Sequence, residues 1–325
     1  MTKTDLASLR ASRKRKKKGK VRQLLEYGVA ASLLPLVRVT PAGIIHLMGD
    51  LLGNLLFLLM PARRRLAIEN LNHALGAERT EDEIKRIARK SCQSFFLTCF
   101  EIIKSQEFFK KENAREALRG LSEELEVLFQ KARRIHEESG GCIFVTPHLG
   151  NWEYLPHVSS VLGIPLVVVA RPFSNAYLER LIYSTRADSG QVILPKKNVL
   201  FMLQKTLQQG KSIGLLPDQS THEGINVDFF GRKASTTPGP ALLSIMYKRP
   251  IVVVACCRKE DGSDFEGVVS DPIWPGTYES EKREIFRLTE AMNKKMEEII
   301  RKYPEQYFWI HDRWKVRRSR KELLQ

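Results

Sequence analysis

The chain has little that would hold it together covalently. Its five cysteines, Cys92, Cys99, Cys142, Cys256 and Cys257, are odd in number, lie in apolar runs and lack Cys-x-x-Cys spacing. A disulfide framework is excluded, and reduced core thiols on the cytosolic side are expected. Clean apolar runs long enough to span a bilayer, about 20 residues, are also missing. Leu24 to Val37 is broken by Glu26 and Pro35, and Ile44 to Met60 carries His46, Asp50 and Asn54. No small-residue cleavage site follows a short apolar core, so a removed signal peptide is not expected. There is no internal repeat, no zinc pattern and no Gly-rich aromatic strand motif, which argues against a nucleic-acid partner.

Negative charge is the minority sign. Lys and Arg number 53 against 37 Asp and Glu over 325 residues, a formal net charge of +16. The excess sits at the ends: Arg10, Arg13, the run Lys14 to Lys18, Lys20 and Arg22 at one, Arg313, Lys315, Arg317, Arg318, Arg320 and Lys321 at the other. Basic ends suit a polyanion, and the apolar segment behind the first run favours an anionic lipid surface. Ile44, Leu47, Met48, Leu51, Leu52, Leu55, Leu58 and Leu59 form one broad apolar helix face. With positives on both flanks, to Arg22 and from Arg63 to Arg65, both ends are expected to stay cytosolic. An interfacial helix or shallow hairpin is the expectation, ahead of a single span or a helix packed on the core.

We read residues 1–22 as a basic disordered tail, 23–62 as a membrane-associated helical segment, 63–315 as an α/β domain and 316–325 as a second basic tail. Pro61 to Leu75 reads as a basic helix closed by Gly76. Thr80-Glu81-Asp82-Glu83 is a capping box opening a helix to about Ser105. A charged helix from about Leu121 to Glu138 stops at Gly140-Gly141. Short apolar runs then alternate with helical patterns: Cys142–Thr146, Leu166–Ala170, Val192–Leu194, Ile213–Leu216 and Ile251–Cys257, with helices near 151–162, 175–188, 198–209 and 238–248. The alternation predicts an α/β fold with a mostly parallel sheet flanked by helices.

Function in such sheets gathers at the carboxyl ends of strands. The first strand runs into Thr-Pro-His-Leu-Gly-Asn-Trp-Glu at 146–153, with His148 five positions before Glu153. The second ends at Arg171-Pro172 and the fourth at Pro217-Asp218-Gln219, so a base, a cation and a carboxylate reach one edge. Imidazole is poised for proton abstraction near neutral pH, and a carboxylate fixes its tautomer or stabilises the imidazolium. Glu153 is the first choice for that carboxylate, with Asp218 competing from another strand.

The chain resembles the bacterial lipid A late acyltransferases, within the wider lysophospholipid acyltransferase superfamily. The resemblance runs from about Arg63 to Lys315. It rests on the His-x4-Glu block, Ala-Arg-Pro-Phe-Ser-Asn at 170–175, Leu-Pro-Asp-Gln-Ser at 216–220, Phe-Phe-Gly-Arg-Lys-Ala-Ser-Thr-Thr-Pro-Gly-Pro-Ala at 229–241 and Tyr-Pro-Glu-Gln-Tyr-Phe-Trp-Ile-His-Asp-Arg-Trp-Lys at 303–315. It implies transfer of an acyl chain from an acyl carrier protein thioester to a hydroxyl of a lipid A precursor at the cytoplasmic face of the inner membrane. The alternative is an acyl coenzyme A-dependent lysophospholipid or phosphatidylinositol mannoside acyltransferase.

In that chemistry His148 removes the hydroxyl proton, and no cofactor or metal is needed. An anionic glycolipid acceptor requires a cation, for which Arg171 and Arg232 are candidates. Asn151, Gln219 and Thr237 complete the substrate-binding set, Asn151 chiefly supporting the turn. Thr236 and Thr237 are placed to cap the helix after Pro238, where backbone donors face an oxyanion or phosphate. Phe229 and Phe230 are expected in the core, with a place along an acyl path as the alternative, and Gly231 allows a tight turn. The remaining histidines read as ordinary, although His311 falls inside the last family block.

Overall fold

The computed structural model describes residues 19–108, 122–170, 175–180, 192–195, 199–260, 262 and 264–315. Five helices come first: α1 (Lys20–Val39), α2 (Ala42–Leu59), α3 (Pro61–Leu75), α4 (Glu81–Phe108) and α5 (Glu123–Ser139). The capping box forms as read. Thr80 N–H donates to Glu83 Oε2 at 2.8 Å and Glu83 N–H to Thr80 Oγ1 at 3.3 Å, satisfying two otherwise orphaned amides. Ser122 caps α5 through Leu125 N–H, and Gly140 ends it in the left-handed conformation at φ 62°.

The second part alternates strand and helix: β1 (Ile143–Val145), α6 (Tyr154–Val161), β2 (Leu166–Ala170), β3 (Val192–Pro195), α7 (Val199–Gln208), β4 (Ser212–Leu215), β5 (Ile225–Phe229), β6 (Arg232–Thr236), α8 (Gly239–Tyr247), β7 (Ile251–Arg258), β8 (Phe265–Val269) and α9 (Glu281–Lys302). Six strands form one sheet in the order β3-β2-β4-β1-β7-β8. All pairings are parallel except that of β8 with β7. Five strands stand within a residue or two of where the apolar runs put them. Their apolar side chains divide between two buried clusters. One holds Ile143, Val145, Ile213 and Val253 with α3, α4, α8 and α9; the other holds Phe144, Val252 and Val254 with α5 and α6.

The sequence reading did not list β8, α9 or the β5–β6 hairpin as elements. The hairpin register pairs Phe229 with Arg232, so its loop is Phe230-Gly231, with φ of 54° and 74°. Two positive φ values match the right-handed strand twist, which is why the turn forms. Phe230 accepts the strained backbone because its ring is buried against Phe229 and Trp309 and covered by the Arg301 guanidinium. Both phenylalanines lie in the core, as preferred.

Helix α2 packs closely on α4 through Gly49 and Gly53. A Cβ added at Gly53 would lie 2.3 Å from the Gln93 Cα, so only glycine permits this approach. The opposite side leaves Leu47, Leu51, Leu55, Leu58 and Leu59 exposed, as α1 leaves Leu24, Leu25, Val29, Leu33 and Leu36. Among the described residues, α2 is the one helix whose length and composition would allow it to cross a membrane. Helix α1 also contacts Asn175, whose Nδ2 donates to Gln23 O at 2.8 Å.

Candidate active site

Strand register brings the site together. Val145 pairs with Leu215 across β1 and β4, an offset that three more residues carry to His148 and Asp218. His148 Nδ1 and Asp218 Oδ1 are 2.7 Å apart, and His148 backbone N–H donates to Asp218 Oδ2 at 2.8 Å. An ionised carboxylate only accepts, so Nδ1 carries the proton, and in the neutral imidazole Nε2 is the nitrogen with the lone pair. The Gln219 amide nitrogen lies 3.3 Å from Nε2. The imidazole keeps 20% side-chain exposure while Asp218 retains 2%: a buried carboxylate and a reachable ring.

Burial acts most strongly on the Asp218 carboxyl and would raise its pKa. The His148 charge, its ring and backbone hydrogen bonds, and the Arg313 charge together outweigh burial and hold the pKa below the ordinary value. Tyr307 lies buried beside Asp218, and burial, then the carboxylate, push its phenol upward, so it remains a donor.

The preference for Glu153 as the orienting carboxylate is corrected here. Glu153 occupies the N-cap of α6, and the ring nitrogen facing a carboxylate faces Asp218. The reason is topological: a carboxylate five residues along must double back through the turn, whereas the neighbouring parallel strand delivers Asp218 directly opposite.

Arg171 lies outside the described residues. Arg232 opens β6 with an exposed side chain whose charge acts on His73; it is not among the described groups bonded to His148 or Asp218. Thr237 Oγ1 accepts from Gly239 N–H at 3.3 Å at the start of α8, whose N-cap is Pro238 without a side-chain cap. Thr236 Oγ1 instead accepts from Arg313 Nη2 at 2.6 Å. Asn151 is fully buried; its Oδ1 accepts from Tyr154 N–H at 3.2 Å, and its Nδ2 donates to Glu101 at 3.3 Å.

That last bond leads to a network not identified from the sequence. Arg258, at the end of β7, donates from Nε to Glu101 Oε1 at 2.7 Å, from Nη1 to Ser94 Oγ at 2.8 Å and from Nη2 to Thr98 Oγ1. Thr98 Oγ1 in turn donates to Gly150 O at 3.0 Å, and Gln306 O accepts from Gly150 N–H at 3.2 Å. The turn after His148 is therefore gripped by α4, β7 and the Pro304–Gln306 helical turn. Gly150 is required at its φ of 57°, since a Cβ there would stand 2.1 Å from Cys256 O. The strand-end rule that picked out His148 and Asp218 would have found Arg258 had it been applied to β7.

The 303–315 block also frames the site. Phe308 N–H donates to His148 O at 3.1 Å, and Ser220 N–H donates to His311 Nε2 at 3.3 Å. Asn70 of α3 fastens the block through Trp309 O and His311 O, both at 2.8 Å. The Trp152 ring stands edge-on to His148 at 5.2 Å and, with Thr146, also lines an apolar cavity. The cavity runs between the sheet and helices α5 and α6 and encloses about 480 Å³ of space, including that open to solvent. Phe229 and Phe230 are not among its lining residues.

Comparison with known proteins shows the family. The family described as bacterial lipid A biosynthesis acyltransferase matches residues 14–316. The chain belongs to that family. Relatives include the lipid A biosynthesis lauroyltransferase of Escherichia coli (strain K12), 26% identical over 290 residues covering 88% of this chain and 90% of that protein. The lipid A biosynthesis palmitoleoyltransferase of the same organism is 26% identical over 197 residues, 57% of this chain and 59% of that protein. The phosphatidylinositol mannoside acyltransferase of Mycolicibacterium smegmatis (strain ATCC 700084 / mc(2)155) is 24% identical over 180 residues, 54% of this chain and 57% of that protein. This lipid A acyltransferase family member is an O-acyltransferase.

Proposed function

We propose that this acyltransferase moves a fatty acyl chain from an acyl carrier protein thioester to a hydroxyl of a phosphorylated or otherwise anionic lipid A precursor. The observation that carries the chemistry is the His148–Asp218 pair, with Nδ1 held by a buried carboxylate and the ring standing against Trp152, which lines the apolar cavity. Nε2 takes the acceptor proton as the hydroxyl oxygen bonds to the thioester carbonyl carbon. The tetrahedral intermediate then expels the thiol sulfur as the C–S bond breaks, and the imidazolium returns the proton to that sulfur. Asp218 holds the tautomer and compensates the charge that develops on the ring. Gln219 yields Nε2 to the substrate and donates its amide N–H to the carbonyl oxygen, where negative charge develops. Glu153 shapes the start of α6 and supports the turn. Arg171 and Arg232 supply the cations for the acceptor's acidic groups, and Thr237 with the amides at the start of α8 serves the same acceptor.

The apolar sides of α1 and α2 seat the enzyme on the cytoplasmic face of the inner membrane. Their exposed leucines enter the interface, while basic residues from Lys14 to Arg22 and Arg63 to Arg65 meet anionic headgroups. The contact between α1 and Asn175 supports a site edge that faces the lipid. A second reading, acyl coenzyme A-dependent transfer to a lysophospholipid or a phosphatidylinositol mannoside, draws support from the mannoside acyltransferase relative.

Purified full-length protein in detergent, offered labelled acyl carrier protein or acyl coenzyme A with each acceptor, separates the two. Transfer from the carrier protein to a lipid A precursor, lost in His148→Ala, is expected. Transfer to lysophospholipid alone, or activity surviving the substitution, overturns the proposal.

A further inference from the structure

The middle of the sheet lacks a side chain. Phe144 of β1 pairs with Gly214 of β4, Gly214 with Val168 of β2, and Phe144 with Val252 of β7, so these four residues form one row across the strands. Three are large and apolar, and the fourth is glycine. Glycine inside a strand weakens it relative to alanine and leaves nothing to pack. Here the gap opens into the cavity: Gly214, Phe144 and Val168 all line it, and Gly214 and Leu215 are only partly buried although β4 has a strand on either side. No tight turn, positive φ or close backbone approach requires glycine at 214. A Cβ there would meet Val168 Cγ2 at 3.3 Å and the Leu166 methyls at 3.6 and 3.7 Å, side-chain contacts that alanine can satisfy with a small adjustment.

We infer that Gly214 is a specificity-determining residue: the hydrocarbon chain of the thioester donor lies across the gap it leaves, and residue 214 limits the chain's length. The inference rests on the acyl-transfer reading above. Thr146 and Trp152 place one end of the cavity two residues before His148 and against its ring. A chain with its carbonyl carbon at Nε2 therefore has its first methylenes between these residues and its tail running along the sheet past Gly214 toward Leu166. Only the donor presents a carbonyl carbon bonded directly to such a chain. The acceptor presents a hydroxyl and keeps its own chains on the side of the exposed α1 and α2 leucines. Phe129 of α5 and Leu155 of α6 close the opposite wall, so the occupant is a slender saturated or singly unsaturated acyl chain.

Two variants move the boundary in opposite directions. Gly214→Val fills the row and should lower kcat/KM for the longest productive donor by about tenfold or more, the scale on which a pocket discriminates a methylene or two, while shorter donors are spared. Val168→Ala lengthens the space and should shift preference toward longer chains. The test offers each full-length protein in detergent a ladder of saturated acyl carrier protein thioesters of rising length, with a lipid A precursor as acceptor and a thermal melt alongside. Opposite shifts in preferred length establish the role. A wild-type enzyme that uses no thioester in the ladder refutes the acyl-transfer reading itself. A wild-type enzyme that is active, with the same length profile in folded Gly214→Val or in Val168→Ala, overturns the assignment of Gly214 alone.

Discussion

His148 and Asp218 hydrogen-bond to each other twice, once through the ring and once through the backbone, at 2.7 and 2.8 Å. The second bond ties the carboxylate to the turn that carries the imidazole, so the pair moves as one unit and the ring cannot rotate without losing its partner. Orientation of the ring is thus built into the junction of two strands.

If Asp218 orients and compensates the base, Asp218→Asn should lower kcat by roughly 10²–10⁴-fold, the usual worth of positioned proton transfer. Glu153→Gln should cost only a few-fold. Steady-state rates for both variants, with melting curves to establish folding, check this; an equal loss in the two would remove the distinction.

The depressed Asp218 pKa carries a sign for stability. The unfolded carboxyl titrates near about 3.9 and the folded one lower, so the unfolded chain binds the proton more readily. The stabilisation is therefore fully present above the unfolded value and is lost as pH falls through the folded one. Urea midpoints measured on descending from neutral pH should fall less steeply in Asp218→Asn than in wild type across that acidic window. Parallel curves would show that the carboxylate contributes nothing to acid sensitivity.

Arg258 and Glu101 form a mostly buried ion pair beneath the turn after His148, with 8% and 17% side-chain exposure. Removing one partner leaves a desolvated charge, so Arg258→Met alone should destabilise by about 3–5 kcal/mol. Joining it to Glu101→Leu should recover a large part of that loss. A double-mutant cycle by denaturant unfolding measures the coupling, and strict additivity would show the pair to be independent.

For the membrane face, Leu51→Glu together with Leu58→Glu should abolish flotation with anionic phospholipid vesicles and leave the melting temperature within a few degrees, because both side chains are exposed. Unchanged flotation would place the lipid contact elsewhere. Replacing Gly53 by Ala acts on the other side of α2 and should lower the melting temperature through the clash with the Gln93 backbone.

Much of this molecule follows from short stretches of chain. The capping box at Thr80, the stop at Gly140, the five central strands and the placing of His148 and Asp218 at strand ends all depend on neighbours a few residues apart, where side-chain period and backbone propensity act directly. The two-residue hairpin at Phe230-Gly231 was harder to read, because a bulky residue at positive φ is paid for by burial among distant aromatics. Helix α2 likewise looks amphipathic by itself, yet the face it buries is the one carrying Gly49 and Gly53, chosen by how close α4 must come.

The site's chemistry divides along the same line. Residue order determined which groups could serve: a histidine after the first strand, carboxylates at 153 and 218, a cluster of aromatics and an arginine near the end. Only the tertiary structure decided that Asp218 holds the ring, that Arg258 grips the turn and that the gap at Gly214 opens into the cavity that Trp152 also lines. Each of these depends on register between strands or on packing between helices separated by tens of residues. A carboxylate's sequence distance from a histidine does not reveal its distance in space, because the hydrogen-bonded ladder between neighbouring strands sets that distance.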